Sequence, residues 1–371
     1  MIIVKEVTTR KELKRFIMYP FELYKNDKNW VPPLIMDEWN TFDREKNPAF
    51  DHCDSIYFLA YKDDKIVGRI AAIINHKANV RWDEKRTRFG WIAFIDDKEV
   101  SKALLDAARS WGIAKGMKGI HGPLGFSDLD PEGMMIEGFG HEPSITTAYN
   151  YAYFPEHMEY HGYTKSVDWV QYKFAGSQEI PEKVKRINQL ISQKYQVETF
   201  IPKTKKEMLR YAPDFFHTLN LAFKDLYGFT ELSSRQIDFY IKSYLGFARP
   251  ELNCFVLDES NRVVGFGISF PSLSKAFRKA KGKLFPFGFI HILRALRNYD
   301  TIDLYFNGVH PDWQKKGIHS LYYVAMNEQF IKHNVKCAIS TGQLETNINA
   351  VGIWDNYEKE PYLRTRCYIK D

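Results

Sequence analysis

One order of secondary-structure signals occurs twice along the chain of 371 residues, and this repeat restricts the fold more than any other feature. Each copy holds two apolar runs joined by a polar turn, followed by a third apolar run, a helix and a short strand. The polar turns fall at 62–65 and 258–261. The helices carry apolar residues at three- and four-residue spacing, which gives a helix one buried face. Strands that alternate with helices predict an α/β layer architecture with a mixed sheet.

The two copies meet in the segment KFAGSQEIPEK, which collects Gly, Ser and Pro. Such residues interrupt regular elements and are typical of a linker. We therefore predict two domains, residues 1–176 and residues 177–371, and the chain length suits two domains of ordinary size. Residues 272–299 have no counterpart in the first copy and predict an amphipathic insertion in the second domain. Three uses stay open for it: a packed cover, a flap over an acceptor pocket, or a contact with a membrane surface or an acyl chain.

Composition excludes several classes of protein. Apolar residues make up 44% of the chain and charged residues 26%, which is not the composition of a disordered, collagen-like or coiled-coil chain. The net charge of +6 permits an anionic ligand, but the basic excess lies in one short stretch, so we expect no nucleic-acid partner. The four scattered cysteines are typical of a reducing compartment. Because we find no signal-peptide pattern and no transmembrane segment, we expect a cytoplasmic protein.

The run LYFNGVHPDWQKKGIHSL carries the strongest chemical signal. A strand ends at Val309, a turn with Gln314 and Gly317 follows, and a helix begins at once. A glycine turn at a helix N-terminus leaves backbone N–H groups without partners, and the positive end of the helix dipole lies beside them. Lys315 and Lys316 add positive charge. The run therefore predicts a phosphate site, although its spacing is that of neither a nucleotide P-loop nor a dinucleotide site.

The pattern V-x-P-x-x-Q-x-x-G-x-(G/A) between a strand and a helix resembles the acetyl-CoA diphosphate signature of the GNAT N-acetyltransferase superfamily. Val309, Pro311, Gln314 and Gly317 match it in register, whereas His319 stands where the family prefers Gly or Ala. A larger side chain there either crowds the diphosphate or donates a hydrogen bond to it. Together with the repeat, the pattern makes the whole chain resemble a tandem GNAT arrangement, and the N-terminal stretch resembles an uncharacterised bacterial family of such proteins.

The resemblance implies acetyl-CoA or another acyl-CoA as cosubstrate and no metal. The residues that it implies for cofactor binding are Val309, Gln314, Lys315, Lys316, Gly317, Ile318, His319 and Asn347. In the family, a tyrosine of the last helix protonates the departing CoA thiolate. Two registers compete for that position: one selects Trp354 and the other Tyr357. We favour Tyr357, because an indole cannot supply the proton.

The family mechanism is direct transfer, in which a deprotonated amine attacks the thioester while both substrates lie in one cleft. Glu345, near the end of a strand where the cleft opens, is the candidate base. Its alternative role is that of an acidic residue at a helix N-terminus. Tyr305 and Asn307 lie on one face of the strand before the turn and are candidates for the acceptor side.

The corresponding junction in the first copy reads FIDDKEVSK. Asp96, Asp97 and Glu99 stand where the phosphates would lie, and no glycine opens the turn. Because carboxylates repel a diphosphate, we expect the first domain to be a degenerate GNAT-like domain that walls the acceptor cleft or stabilises the second domain.

Two other clusters resemble metal sites only in part. Asp128, Asp130 and Glu132 match the start of an EF-hand loop, but Phe139 stands where the bidentate glutamate belongs, so we expect an acidic, solvated loop. His157 and His161 have the spacing of helical zinc ligands without the H-E-x-x-H motif. We expect neither calcium nor zinc.

The sequence therefore predicts an acyl-CoA-dependent N-acyltransferase that acts on a small-molecule or peptide amine. Three alternatives stay open. A non-catalytic acyl-CoA-binding or interaction protein is favoured by His319 and by the competition between Trp354 and Tyr357. A Fem-type aminoacyltransferase, which uses aminoacyl-tRNA, is disfavoured by the diphosphate-type turn. An acyltransferase for longer chains is suggested by the aromatic insertion.

Overall fold

The computed structural model describes residues 1–176, 179–347 and 358–371. The strands within them are β1 Ile2–Glu6, β2 Cys53–Lys62, β3 Lys65–Asn75, β4 Arg86–Phe94, β5 Gly119–Gly122, β6 Met134–Glu137, β7 Thr164–Ala175, β8 Glu198–Phe200, β9 Cys254–Leu257, β10 Val263–Pro271, β11 Thr301–Val309, β12 Cys337–Ser340, β13 Gln343–Leu344 and β14 Lys359–Lys370. The α-helices are α1 Arg10–Leu23, α2 Ile35–Phe42, α3 His76–Arg81, α4 Lys98–Ala114, α5 Tyr153–Tyr160, α6 Glu182–Tyr195, α7 Lys205–Arg210, α8 Ala212–Phe223, α9 Ser234–Tyr244, α10 Ser274–Ala280, α11 Gly288–Arg297 and α12 Ile318–Lys332.

Both predicted hairpins are present, and short polar turns close them. Strands β2 and β3 pair antiparallel, and the two residues between them, Asp63 and Asp64, have φ of 50° and 59°. Two residues with positive φ match the right-handed twist of the flanking strands. In the β9–β10 turn, the Asp258 carboxylate accepts hydrogen bonds from the amides of Ser260 and Arg262, both at 2.9 Å. The local chemistry of these turns therefore accounts for the hairpins.

The strands join in one continuous sheet in which the two halves exchange their last strands. The order is β1-β2-β3-β4-β5-β14-β7-β12-β11-β10-β9-β8, with β6 beside β14 and β13 beside β7. The last strand of the first half, β7, pairs with β12 of the second half, and β14 at the end of the chain pairs with β5 of the first. Only the β4–β5 and β11–β12 pairs of this described sheet are parallel. Each half therefore completes the sheet of the other.

Helices cover both faces of the sheet, because alternate side chains of a strand are buried in hydrophobic cores on opposite faces. On β3, Ile70 and Ala72 belong to the core under α4 and α5, whereas Ala71 and Ile73 belong to the core under α1 and α2. In the second half, α12 packs on one face of β9 and β10, and α8 and α9 pack on the other. Alternate residues of a strand point to opposite faces. The predicted α/β fold with a mixed sheet is confirmed.

The segment at 272–299 forms α10 and α11 between β10 and β11. Leu273, Phe277 and Ile292 of this insertion are buried against Leu34 of the first half. The short helix α3 takes the corresponding place between β3 and β4. No described helix combines the length and apolar character that a crossing of a lipid bilayer requires.

Candidate active site

A turn with free backbone amides joins β11 to α12. Lys315 and Gly317 have φ of 61° and 78°, so the chain reverses within a few residues before the helix begins at Ile318. A Cβ at position 317 would lie 2.6 Å from Cδ1 of Ile191, in a backbone conformation that L-residues rarely adopt. Within the described chain, the amides of residues 315–319 donate to no acceptor. Free amides at a helix N-terminus favour an anion.

The side chains around this turn are two lysines and a histidine in different surroundings. The Lys316 Nζ lies 4.6 Å from the ring centroid of Trp313 and 5.5 Å from that of Tyr195, so it is held over aromatic faces. Lys315 is exposed. Burial lowers the pKa of His319, which leaves this half-buried imidazole neutral near pH 7. His319 can therefore donate a hydrogen bond to an anion but adds no charge.

Next to the turn, β11 has an edge without a partner strand. Strands β11 and β12 pair only between 301–304 and 337–340, because β12 ends at Ser340 while β11 continues to Val309. Thr341 closes the pairing: its amide donates to the Leu304 carbonyl at 3.0 Å and its hydroxyl to the Tyr305 carbonyl at 2.9 Å. Among the described strands, none pairs with this edge from 306 to 309. An extended ligand with amide groups can add itself to such an edge.

A cavity of about 180 Å³ lies at the base of this open edge, between the two halves. It is lined by side chains of β11, of the segment after β12, of α8 and α9, and of the loop after β5. The lining includes the aromatic residues Trp169, Phe223, Phe229, Tyr244, Tyr305 and Phe306 and the acidic residues Asp128, Asp130 and Glu132. From the cavity, β11 continues from Tyr305 to Val309, a length of about 13 Å, towards the anion-binding turn.

The carboxyl groups in this cavity have strongly perturbed acidities. Burial raises the pKa of Asp128 to about 7, against the opposing charge of Arg88. Burial and the charge of Asp128 raise the pKa of Glu132 well above its ordinary value. Burial also raises the pKa of Asp130 to about 6, but this carboxylate accepts a hydrogen bond from the Ser127 amide at 3.0 Å. Asp128 and Glu132 are therefore a pair that holds a proton at neutral pH, whereas Asp130 closes a turn.

Three buried acceptor atoms of the cavity-lining residues receive no N–H donor. Within the described chain these are Gln171 Oε1, Asp128 Oδ1 and Glu132 Oε1, although the Asp128 and Glu132 carboxyls share a hydrogen bond with each other when one of them is protonated. The Gln171 amide nitrogen is fixed by a 2.9 Å hydrogen bond to Thr147. A buried acceptor without a donor is costly, so the cavity suits a ligand that brings hydrogen-bond donors. An ammonium group or an amine is such a ligand.

The structure brings some of the predicted residues together and separates others. Tyr305, Asn307 and Asn347 line the cavity. The predicted cofactor residues Val309, Gln314, Lys315, Lys316, Gly317, Ile318 and His319 form the end of β11, the turn and the start of α12, with Ile318 buried in the core. Tyr357 and Trp354 lie outside the described residues, so the choice between them stays a prediction.

Glu345 does not line the cavity. Its carboxylate is paired with Lys165 and, at 3.1 Å, with Arg364. Its amide donates to the Asp168 carbonyl at 3.0 Å, which fixes it beside β7. Two cations thus hold the Glu345 carboxylate outside the cavity, whereas Asp128 and Glu132 line it.

The acidic segment 128–132 is a correction to the sequence-based expectation of a solvated loop. Asp128, Asp130 and Glu132 are part-buried, and the atoms Asp128 Oδ1 and Glu132 Oε1 are fully buried. The segment between α8 and α9, about 100 residues further on, lines the same cavity, and its Gly228 carbonyl accepts a hydrogen bond from Arg88 at 2.9 Å. Arg88 also reaches the Gly125 carbonyl at 3.3 Å. No local pattern in the sequence signals a contact over that separation.

In the first half, the corresponding junction is closed. The Asp97 amide donates to the Ile95 carbonyl, and the amides of Glu99, Val100 and Ser101 donate to oxygens of Asp97. His157 lies between Asp96 and Ser101, at 2.9 Å from each, and His161 lies 2.8 Å from the same hydroxyl. The two histidines therefore both contact this serine. In the described parts of the chain, no group of three or more His, Cys, Asp or Glu residues has the arrangement of metal ligands.

Comparison with known proteins identifies the family. No protein-family model matches the chain. A bacterial ceramide synthase of Caulobacter vibrioides is 30% identical over 295 residues, which cover 78% of this chain and 75% of that protein. Protein YghO of Escherichia coli is 26% identical over 378 residues, which cover 99% and 95%.

The solved structure of a tandem GNAT protein from the clavulanic acid biosynthesis pathway aligns with a TM-score of 0.56 at 10% identity. The alignment covers 100% of this chain and 98% of that structure, and at this identity it shows the fold alone. The structural alignment shows the fold, and the sequence identity to the ceramide synthase shows the family relationship. The chain therefore belongs to the family of tandem GNAT-fold acyltransferases that includes the bacterial ceramide synthase of Caulobacter vibrioides.

Proposed function

We propose that the second half of the chain transfers an acyl group from an acyl-CoA to an amine that is bound in the cavity between the halves. The observation that carries this proposal is the position of the buried Asp128–Glu132 pair at one end of an open strand edge whose other end is the turn with free amides. An amine site and an anion site are thus joined by a surface that can hold an extended, amide-containing chain.

The donor side follows from the chemistry of CoA. Its diphosphate suits the free amides at 315–319 and the positive end of the α12 dipole. Its pantetheine arm contains two amide groups, which can pair with the open edge of β11 as an added strand. This arrangement directs the thioester towards Tyr305 and Asn307, where the cavity begins.

The acceptor side follows from the buried acids. An amine arrives as an ammonium ion, and Asp128, with its pKa raised to about 7, can take the proton near neutral pH. Glu132 stays protonated beside it and donates a hydrogen bond. The free amine then attacks the thioester carbonyl carbon and the carbon–sulfur bond breaks. The nitrogen loses a second proton as the amide forms, and the thiolate takes up a proton, so the products are a neutral amide and a free thiol. Tyr357 remains our candidate for the donor of that proton.

We infer that the acceptor is a long-chain amine. The name of the Caulobacter relative states that it makes a ceramide, which is an N-acylated long-chain amino alcohol. In this chain, a second cavity of about 80 Å³ shares Leu129, Tyr244 and Phe306 with the amine cavity and is lined almost only by apolar residues of α7, α8, α9 and β10. It has room for the first methylene groups of a chain attached to the amine.

The test is a transfer assay with matched donors and acceptors. The protein is incubated with acetyl-CoA or palmitoyl-CoA and with a long-chain amino alcohol, a short alkylamine or a basic peptide. Thiol release is followed together with mass spectrometry of the amide product. We expect one amide per thiol with the long-chain amino alcohol. CoA binding without thiol release for any acceptor would favour a non-catalytic binding protein, and transfer from aminoacyl-tRNA without CoA binding would favour a Fem-type enzyme.

A further inference from the structure

The insertion at 272–299 has a charge unlike that of the rest of the chain. It contains seven basic residues and no acidic residue. Because the whole chain has a net charge of +6, all other residues together carry a net charge of −1. The positive charge of this protein is therefore concentrated in one pair of helices and their connection.

The connection between α10 and α11 presents an apolar tip to solvent. Phe285 and Phe287 are 75% and 69% exposed, and Phe289 and Leu293 are 38% and 48% exposed. The rings of Phe285 and Phe289 lie 5.8 Å apart, and Leu293 follows Phe289 by one helical turn on the same face. Single exposed apolar residues are ordinary, but four that are contiguous indicate a contact surface.

The tip is carried on a fixed base. On the opposite face, Ile292 is buried with Phe277 and with Leu34 of the first half. The Arg278 guanidinium pairs with Glu142 at 2.6 Å, and the Gly282 carbonyl accepts a hydrogen bond from the Ile35 amide at 2.9 Å. The inward face of these helices is thus packed against the rest of the protein, and the apolar residues of the tip lie on the opposite, exposed face.

The insertion that carries the tip also carries positive charge without carboxylate partners. Six exposed cations of the insertion have no carboxylate within 4 Å in the described chain: Lys275, Lys279, Lys281, Lys283, Arg294 and Arg297. Three of them, Lys275, Lys279 and Arg294, also line a cavity of about 620 Å³ between the insertion and the sheet. The surface therefore combines aromatic and aliphatic side chains with uncompensated cations.

We propose that this insertion docks the protein onto the surface of a bilayer that contains anionic phospholipids. Aromatic and aliphatic side chains of this kind enter the boundary between headgroups and acyl chains, while lysine and arginine pair with anionic headgroups. A protein or nucleic-acid partner fits less well, because the tip offers an apolar surface next to the exposed cations Lys281 and Lys283 and no mixed polar surface. The proposal goes beyond the proposed acyl transfer and does not rest on it.

The test is cosedimentation of the full chain with lipid vesicles of phosphatidylcholine alone or with one third phosphatidylglycerol. We expect binding to the anionic vesicles only, and weaker binding as salt is raised. The double variants Phe285→Ser/Phe287→Ser and Lys281→Gln/Lys283→Gln should each bind at least tenfold more weakly. The matched control Val80→Ser/Ile113→Ser removes two exposed apolar residues of the first half, which are 84% and 51% exposed, and should bind as the unaltered protein does.

Binding that is equal for all variants, or absent at any lipid concentration, would overturn the proposal. Sedimentation velocity without lipid tests the alternative that a second copy of the chain covers the tip. A dimer that is lost in the Phe285→Ser/Phe287→Ser variant would support that alternative and contradict the proposal. Thermal unfolding of each variant checks the fold. Thiol release with soluble substrates and no vesicles reports on acyl transfer, so failure of either proposal is seen without the other.

Discussion

At the scale of single residues, Asp128 and Glu132 carry the proposed chemistry. Both carboxyls are buried, and the charge of one opposes ionisation of the other, so the pair keeps a proton at a pH where isolated carboxyls have lost theirs. Arg88 lies close enough to favour the charged form of Asp128. The two groups are thus set to different roles by their surroundings, one as a proton acceptor and one as a hydrogen-bond donor.

We predict that Asp128→Asn slows acyl transfer by roughly 10²–10³-fold, because a positioned general base contributes about that much. In the unaltered protein, kcat/KM should rise as the pH increases through about 7, since the carboxyl must lose its proton before it can accept one. The variant should lack this rise and should still bind CoA. The measurement is a pH–rate profile of thiol release.

Glu345→Gln tests the alternative base. Like Asp128→Asn it replaces a carboxylate by an amide, but at a residue that does not line the cavity. A profile that loses its rise in Glu345→Gln and keeps it in Asp128→Asn would return the role of base to Glu345, as the sequence predicts. The sequence pointed to Glu345 because it follows a strand, whereas the burial of Asp128 depends on residues 226–229, which lie far along the chain.

At the scale of elements, the two strand-to-helix junctions of the repeat differ in how many of their backbone amides have hydrogen-bond acceptors. At α12 the amides of 315–319 are free, and at α4 most of the corresponding amides have acceptors. Gly317, with its φ of 78°, lets the chain turn into α12 without a side-chain cap, so the first amides of this helix keep no acceptor. In α4, Asp97 provides that cap and occupies the position of an anion.

We predict that each chain binds one CoA, in the second half only. At the first junction most amides already have acceptors, and the carboxylates of Asp96, Asp97 and Glu99 oppose a diphosphate. Isothermal titration calorimetry should give a stoichiometry of about one. Two equivalent sites per chain would mean that the first half is not degenerate.

Local chemistry explains which elements could be predicted. The hairpin turns at 62–65 and 258–261 and the glycine turn before α12 depend on residues within the turn itself, so the sequence predicts them correctly. The capping box of α1, in which Thr9 and Glu12 exchange hydrogen bonds of 3.2 and 2.9 Å, is another local signal.

At the scale of the whole molecule, the exchange of β7 and β14 joins the halves. Their long antiparallel pair extends from Lys359 opposite Phe174 to Ile369 opposite Thr164, and each strand also pairs with the other half. The sequence did not predict this exchange, because the alternation of these strands is satisfied equally by a partner within the same half. Pairing over such separations leaves no local trace.

We predict that the two halves unfold together. Separation of the halves would expose the edges of β5 and β12 as well as both long strands, and unpaired edges are unstable. Urea unfolding followed by tryptophan fluorescence and by circular dichroism should give coincident single transitions. Two transitions with different midpoints would show that each half is stable alone.

The central claim is that the turn at Gly317 binds the CoA diphosphate, and thermal unfolding with and without CoA tests it most directly. A ligand that binds only the folded state raises the unfolding temperature, by several degrees when it is well above its Kd. Gly317→Asp should abolish this rise. Gly116→Asp is the matched control, since Gly116 has φ of 84° and no atom within 4 Å of an added Cβ, and it should keep the rise. A CoA-dependent rise that survives Gly317→Asp would contradict the claim.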